Sequence, residues 1–277
     1  MRNLIIENDN LIAMNELLPE YEGKIDVMPI DPPYNTDISY IGYKDSGYTD
    51  GWMEFMRPRL KAAYRLLSPT GVMFIHIDEN EAAGLWRLCG EIFGTENLMS
   101  MIWKKTNPLF DQNRKEKPLE SGIRRTHEFI IVCFKDRINT TLAPIMQPYV
   151  DGGKIRERLH PIETVIDFMG TTASAKDELS ELLGEKNIFA TPKPVKLIKE
   201  FVRSLGKKDA LVMDFFAGSG TTGYAVLELN HEDGSNHKFV LINNNESDIC
   251  KNVTIPRVKA VMQKYGIPDN TLELKLL

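Results

Sequence analysis

Apolar positions along the chain follow two alternating patterns, short uninterrupted runs and longer segments with helical spacing. The runs NLIIE (3–7), KIDVMPI (24–30) and GVMFIHID (71–78) are typical of buried strands. DNLIAMNELLPEY (9–21) has the spacing of a helix that Asp9 or Asn10 can cap. Further strand patterns occur at 99–103, 129–135, 210–216 and 238–244, and further helix patterns at 52–71, 79–94, 177–186, 194–206 and 224–230. This alternation predicts an α/β fold.

The alternation weakens between residues 138 and 187, where 177–186 is the clearest helical stretch. This part of the chain is the best candidate for an inserted region between two halves of one domain, 1–137 and 188–277. Lys154, Arg156 and Arg158 add positive charge to the insert.

Charge is unevenly distributed along the 277 residues. The chain carries 34 Lys and Arg against 39 Asp and Glu, a net charge of −5, so it is not a general polyanion binder. Residues 104–137 nevertheless contain nine basic and five acidic residues, a local excess of +4. A solvated loop explains such a run equally well, unless neighbouring motifs require a polyanionic partner.

The remaining composition predicts a cytoplasmic protein. The three cysteines are widely spaced and form no CxxC pair, which disfavours a disulfide framework or a zinc ribbon. No run of eighteen apolar residues is available for a membrane span, and the first ten residues lack the features of a secretory signal.

A glycine-rich turn follows one of the strand patterns. ALVMDFFAGSGTTG (210–223) places it between a strand and a helix, where glycines let a nucleotide approach the backbone. The next strand leads to Glu246, near where a ribose-binding acid is expected. A structural turn, a nicotinamide dinucleotide site and a site for another adenosine-containing cofactor all remain open on this evidence.

A second motif, DPPYNT (31–36), lies where another strand must end, because two prolines cannot continue a β ladder. The Asp31 carboxylate and a proline carbonyl accept hydrogen bonds but donate none, so together they can take both hydrogens of an exocyclic amine. This draws the nitrogen lone pair out of conjugation and directs it at an electrophile. Tyr34 can stack on the base, which implies a nucleotide rotated out of its duplex. Pro29, just upstream, is expected to mark a local bulge.

The order of these motifs resembles that of the DNA amino-methyltransferases that use S-adenosyl-L-methionine. The match is to the permuted group in which the catalytic motif precedes the cofactor motif, as in type III modification subunits. FIHIDENE (74–81), THEFIIVCFK (126–135) and ATPKPVKLI (190–198) resemble further segments of that family. The resemblance covers 1–137 and 188–257 and implies a Rossmann-like, mostly parallel, doubly wound sheet. The halves 1–137 and 188–277 would then carry catalysis and the cofactor, and 138–187 would be a target-recognition region.

The resemblance also assigns roles to individual residues. Catalysis falls to Asp31, Pro32, Pro33 and Tyr34. The cofactor site would comprise Asp9, Thr191, Lys193, Pro194, Asp214, Phe216, Ala217, Gly218, Ser219, Gly220, Thr221 and Glu246. DNA contacts are expected from Lys104, Lys105, Arg114, Arg124 and Arg125. No metal is expected. Any of Asn243, Asn244 or Asn245 could replace Glu246 at the ribose.

The implied reaction is site-specific N6-methylation of adenine in double-stranded DNA, by direct in-line attack on the sulfonium methyl. Cytosine N4 is the nearest competing target and RNA a more distant one. Two other classes stay open, a nicotinamide-dependent oxidoreductase and a catalytically silent DNA-binding subunit. A homodimer and a restriction subunit are the partners that the resemblance suggests, with nucleoid association when DNA is bound.

Three further residues, His127, Glu128 and Trp103, have competing interpretations. His127 and Glu128 open a strand pattern, where a polar role near the base and a structural pair are both reasonable. Trp103 could stack on DNA, but an apolar run favours packing in the core.

Neutralising Arg124 and Arg125 with glutamine should weaken DNA binding and lower its salt slope by about 1 to 2 units, because fewer counterions are released. Fluorescence anisotropy over a salt series measures this slope. An unchanged slope would place the DNA path elsewhere.

Overall fold

The computed structural model describes residues 2–36, 39–40, 43–45, 48, 51–107, 125–244 and 246–276. In chain order its strands are β1 (Asn3–Glu7), β2 (Ile25–Ile30), β3 (Ser39–Tyr40), β4 (Tyr43–Lys44), β5 (Leu67–Ile77), β6 (Leu98–Trp103), β7 (Glu128–Phe134), β8 (Ile145–Asp151), β9 (Lys154–His160), β10 (Val165–Ile166), β11 (Leu211–Asp214), β12 (Lys238–Asn243) and β13 (Leu272–Leu276). The α-helices are α1 (Asn10–Tyr21), α2 (Trp52–Leu66), α3 (Ala82–Phe93), α4 (Thr172–Leu183), α5 (Val195–Arg203), α6 (Thr221–Asp233) and α7 (Ile255–Lys264). No helix in these ranges is long and apolar enough to cross a membrane.

Among the described residues, nine strands form the main sheet in the order β10-β6-β7-β5-β2-β11-β12-β1-β13. Strand β7 runs antiparallel to β5 and β6, and every other pairing within this sheet is parallel. The chain leaves β2 towards β5 but leaves β11 towards β12, so the connections diverge between β2 and β11. Ligands of doubly wound sheets bind outside the carboxyl ends of the strands at such a point.

Strands β2 and β11 separate towards their carboxyl ends, and this separation opens a crevice between them. Their ladder has one registered pair, Val27 with Val212, whereas β2 stays paired with β5 from Val27 to Ile30. Pro29 pairs in regular register with Phe74, and the register shift lies between Ile25 and Val27. The prediction of a bulge at Pro29 is therefore wrong.

Alternation of side chains along the central strands gives the sheet two apolar faces. On one face, Met28 and Ile75 pack with α1, α2 and α3. On the other face, Val27 and Phe74 pack with α5, α6 and α7. The sheet is thus covered on both sides, which confirms the predicted doubly wound architecture.

Two stretches differ from their predicted structure. The helix predicted over 52–71 ends at Leu66, and residues 67–70 already belong to β5. Residues 145–160, where no strand was predicted, form the β8–β9 hairpin, and Lys154, Arg156 and Arg158 are exposed on β9. The hairpin forms a sheet of its own, which explains the weak periodicity, since little of β9 is buried.

The inserted region is nevertheless tied to the rest of the domain. Its strand β10 extends the main sheet beside β6, and its helix α4 packs against α7. The role of 138–187 in target recognition stays a prediction.

The stacked pair Phe74 and Phe201 joins β5 to α5, with ring centroids 4.2 Å apart. Replacing the fully buried Phe201 with alanine should lower the free energy of unfolding by about 3 to 5 kcal/mol, because apolar contacts are lost and a cavity is left. Urea denaturation measures the loss. Ile138→Ala is the control, since Ile138 is 92% exposed, and equal losses in the two variants would contradict this packing.

Candidate active site

The predicted catalytic segment begins where β2 ends, and three contacts hold it in place. Pro33 O accepts a hydrogen bond of 2.7 Å from the Trp52 indole. The buried Asp45 carboxylate accepts from the backbone N–H of Tyr34 at 2.5 Å and of Asn35 at 3.2 Å. These contacts fix the chain directly after Asp31, although no sequence motif pointed to Asp45.

The glycine turn begins where β11 ends, on the other side of the crevice. Asp214 accepts from the Phe216 N–H at 3.0 Å and from the Thr222 hydroxyl at 2.6 Å, which ties both ends of the turn together. Gly218 and Gly220 have φ angles of +47° and +78°, where a side chain is strained. A Cβ at Gly220 would also lie 3.2 Å from the backbone oxygen of Thr254.

A further contact to the turn was missed from the sequence. The fully buried Arg257 donates to the Ser219 hydroxyl at 3.0 Å and to the Thr221 hydroxyl at 2.8 Å. A single arginine within the amphipathic pattern of α7 gives no signal of this role.

Both motifs line one cavity of about 770 Å³ at the carboxyl ends of β2 and β11. The predicted site residues that line it are Asp9, Asp31, Pro32, Pro33, Tyr34, Lys105, Arg125, Thr191, Lys193, Asp214, Phe216, Ala217, Gly218, Ser219, Thr221 and Glu246. Among the predicted residues that the structure describes, Lys104, Pro194 and Gly220 do not line it. Pro194 precedes α5, and Gly220 packs on Thr254.

Asp9 and the asparagine-rich segment after β12 also line the cavity. Asp9 caps α1 through Oδ1, and its Oδ2 accepts from Arg59 at 2.9 Å. Asn243 donates to Gly218 O at 3.0 Å, so its amide is part of the turn's support. Asn244 and Glu246 line the cavity and are exposed, and Asn245 lies outside the described residues. The choice of ribose partner stays a prediction.

Three of the residues predicted to bind DNA are described, and they differ in position. Lys105 contacts Glu128, with a nitrogen–oxygen distance of 3.4 Å. Arg125 forms ion pairs with Asp78, at 3.5 Å, and with Glu79. Burial is the main reason that the pKa of Asp78 rises to about 6. Arg114 and Arg124 lie outside the described residues.

A buried polar cluster surrounds Asp31. Lys193 Nζ lies 2.6 Å from Asp31 Oδ2, 3.1 Å from the Tyr34 hydroxyl and 3.3 Å from Glu128 Oε2. The Tyr34 hydroxyl donates to Asp31 Oδ1 at 2.5 Å and lies 3.0 Å from Glu128 Oε2. Nδ1 of the fully buried His76 lies 3.8 Å from Glu128 Oε2. The cluster thus joins the end of β2, the start of β7 and the segment before α5.

Of the two residues left open in the sequence, Glu128 enters this cluster, whereas His127 packs edge-on against Phe129. In the sequence, the indication of this role for Glu128 was a carboxylate at the start of an otherwise apolar strand. Trp103 is fully buried, which confirms the core interpretation, and its indole donates to Gly170 O at 3.0 Å.

Opposite charges keep Lys193 and Glu128 ionised although both are buried. Burial opposes the charged form of Lys193, but attraction to Asp31 and Glu128 outweighs it and holds the pKa of Lys193 above its ordinary value. Burial likewise opposes ionisation of Glu128, and Lys193, His76 and Lys105 together hold its pKa well below the usual range. Burial, reinforced by Asp31 and Glu128, raises the pKa of Tyr34, so its hydroxyl keeps its proton. Hydrogen bonds and charge pairs thus order the catalytic segment.

Comparison with known proteins finds one matching family model and several similar proteins. Residues 25–251 match the N6 and N4 methyltransferase family model described as DNA methylase. The chain is 26% identical to the StyLTI Mod subunit of a type III restriction-modification enzyme from Salmonella typhimurium, over 86% of this chain and 52% of that protein. It is 25% identical to the type II methyltransferase M.KpnI of Klebsiella pneumoniae, over 86% of this chain and 79% of that protein. The chain therefore spans about half the length of the Mod subunit.

Solved structures share the fold. A DNA modification methylase of Thermus thermophilus, TTHA0409 in complex with S-adenosyl-L-methionine, superposes with a TM-score of 0.58 at 15% identity, covering 99% of this chain and 98% of that one. The predicted Rossmann-like fold is confirmed.

Asp214 should make stability depend on pH, because burial raises its pKa from the ordinary 3.8 to about 7. Between about pH 5 and about pH 7 the folded protein holds a proton there that the unfolded chain has released, so stability falls as pH rises and levels off above that range. Asp214→Asn should remove this trend. Urea unfolding of the two proteins should therefore diverge by on the order of 1 kcal/mol per pH unit in favour of the variant. A difference that is constant across this range would contradict the assignment.

Proposed function

Because this chain belongs to the DNA methylase family, we propose that it transfers the methyl group of S-adenosyl-L-methionine to the N6 amine of adenine at a specific sequence in double-stranded DNA. The family was predicted from the order of the motifs, and the match to residues 25–251 confirms it. Adenine is favoured over cytosine by the aspartate that opens DPPY, since in the resembling enzymes serine is more often found there for cytosine N4.

The observation that carries the proposal is the meeting of Asp31 and the glycine turn in one cavity. The two motifs come from distant parts of the sequence and from two strands, β2 and β11, whose carboxyl ends diverge. A cofactor on the turn and a base amine on Asp31 would therefore face each other across the crevice. Direct transfer needs this arrangement, because the enzyme contributes mainly orientation and charge placement.

The residues at the turn fit the proposed cofactor. Gly218 brings backbone without a side chain to the cavity, and the cavity of about 770 Å³ is large enough for an adenosyl group and a methionine chain together. Asp9, Asp214 and Glu246 supply carboxyl groups along it, which suits a ligand with a ribose, an ammonium and a sulfonium. When bound, S-adenosyl-L-methionine supplies an already activated methyl group.

The chain's own residues would orient the acceptor. Asp31 would accept one hydrogen of the base amine and a proline carbonyl the other, so that the nitrogen lone pair points across the cavity. Pro33 O already accepts from Trp52, so we assign the second hydrogen to Pro32 O. The Tyr34 hydroxyl contacts Asp31 and Glu128, and stacking of its ring on the base is part of the proposal.

Among the competing functions, methylation of cytosine N4 would use the same fold and cavity, and it is the main alternative outcome of the experiment below. A nicotinamide-dependent oxidoreductase would explain the glycine turn but not the family match or the catalytic segment. A silent DNA-binding subunit would have no need for the Asp31 carboxylate beside the cofactor turn.

The proposed partners follow from the relatives. A Mod subunit is one component of a type III restriction-modification enzyme, so we propose association with a restriction subunit, and a homodimer as the form that contacts DNA. Lys105 and Arg125 at the cavity would contribute to the DNA path. We propose a cytoplasmic, nucleoid-associated location.

The direct test incubates the purified protein with unmethylated duplex DNA and S-adenosyl-L-methionine carrying an isotopic methyl group, followed by nucleoside digestion and mass spectrometry. Labelled N6-methyldeoxyadenosine is the expected product. Labelled N4-methyldeoxycytidine would overturn the choice of base, and no labelled nucleoside would contradict DNA methylation by this chain.

Asp31→Ala should reduce methyl transfer at least about 100-fold, the cost of losing one preorganised polar contact in the transition state. Calorimetric affinity for S-adenosyl-L-methionine should change little, because Asp31 lies on the base side of the cavity. Asp269→Asn removes an exposed carboxylate just before β13 and serves as the control. Near-normal turnover of the alanine variant would rule out the mechanism.

A further inference from the structure

Both oxygens of the Asp31 carboxylate already accept hydrogen bonds in this structure. Lys193 Nζ lies 2.6 Å from Oδ2, and the Tyr34 hydroxyl lies 2.5 Å from Oδ1. If Asp31 is the acceptor of a base amine, as the proposed function requires, the incoming amine competes with two strong donors.

The same two donors share a second acceptor. Glu128 Oε2 lies 3.3 Å from Lys193 Nζ and 3.0 Å from the Tyr34 hydroxyl. Each donor can therefore release Asp31 by a small movement and still contact a carboxylate.

Burial makes this second acceptor necessary. The side chains of Lys193 and Glu128 are 8% and 6% exposed, so an ammonium that leaves Asp31 has little water to receive it. A buried charge without a partner is costly, whereas transfer between two carboxylates keeps it paired throughout.

We propose that Lys193 is a displaceable counter-ion of Asp31, and that Glu128 is the positioning residue that receives Lys193 and the Tyr34 hydroxyl when the target base arrives. The inference rests on the proposed function and goes beyond it, since it assigns Glu128 to the control of access to Asp31.

The surroundings of Glu128 suit a fixed acceptor. It is the first residue of β7 and pairs in register with Trp103 of β6, so the sheet holds its backbone. Lys105 lies 3.4 Å from its other oxygen, and His76 lies behind it on β5. In the proposal Glu128 stays in place while the two donors, at the ends of the Tyr34 and Lys193 side chains, change partner.

The test compares four proteins with the wild type, namely Glu128→Gln, Lys193→Met, the double variant and the control Glu16→Gln, whose carboxylate is exposed on α1. Each is measured in single turnover with saturating duplex DNA and S-adenosyl-L-methionine, and the affinity for each ligand is measured separately. A neutral glutamine at position 128 should attract the Lys193 ammonium less strongly, so Lys193 should stay paired with Asp31. Glu128→Gln should therefore lower the single-turnover rate of methyl transfer at least about tenfold, whereas the affinity for S-adenosyl-L-methionine should be unchanged.

The double variant distinguishes this role from a structural one. Without Lys193 there is no cation to displace, so the double variant should be several-fold faster than Glu128→Gln, and Lys193→Met alone should also exceed Glu128→Gln. A merely structural defect at 128 would be made worse by the second substitution. A double variant no faster than Glu128→Gln, or a Glu128→Gln variant as fast as the control, would overturn the inference. An inactive wild type would instead refute the proposed function, so the two failures are distinguishable.

Discussion

Two donors, the Lys193 ammonium and the Tyr34 hydroxyl, share two carboxylates, Asp31 and Glu128, at the buried end of the cavity. Charges removed from water must be paired, and this requirement constrains the elements that carry them. The end of β2, the start of β7 and the segment before α5 must converge, although Lys193 and Asp31 are 162 positions apart in the sequence. The order of the segment after Asp31 and the ionisation of Lys193 and Glu128 depend on this pairing, and in our proposal so does the access of a base to Asp31.

The sheet achieves this convergence through its parallel strands. Because β2 and β11 run in the same direction, their carboxyl ends lie at one edge of the sheet, and their loss of pairing after Val27 and Val212 leaves the crevice between them. The prolines after Asp31 stop β2 there, and the glycines after Asp214 let the chain turn sharply into α6. In the proposed function, one strand end would present an acceptor for an amine and the next would present the glycine turn to the cofactor. The proposed reaction needs both within one cavity.

Much of this could be predicted from local sequence. Asp31, Pro32 and Pro33 define their own strand end, and the spacing of glycines after Asp214 defines the turn, so the two main elements of the site were assigned in advance. The β8–β9 hairpin was not predicted, because β9 is exposed along its length and has no buried face to impose a period of two. Asp45 and Arg257 were missed as supporting residues, and Glu128 was left with two interpretations, because the residues that they contact are not their neighbours in a helix or strand. Only tertiary packing brings them into contact, and a single charged residue in an apolar element does not reveal its partner.

The central claim is that one cavity aligns the methyl group of a cofactor with Asp31. The most direct measurement is a crystal structure of this protein with S-adenosyl-L-methionine, in which the distance from the sulfonium methyl carbon to the nearest Asp31 oxygen is read. We expect the methionine part on the glycine turn and the methyl carbon about 5 to 6 Å from that oxygen, which leaves room for one amine nitrogen in hydrogen-bond and near-attack contact. A cofactor bound outside the crevice, or a methyl group directed away from Asp31, would contradict it.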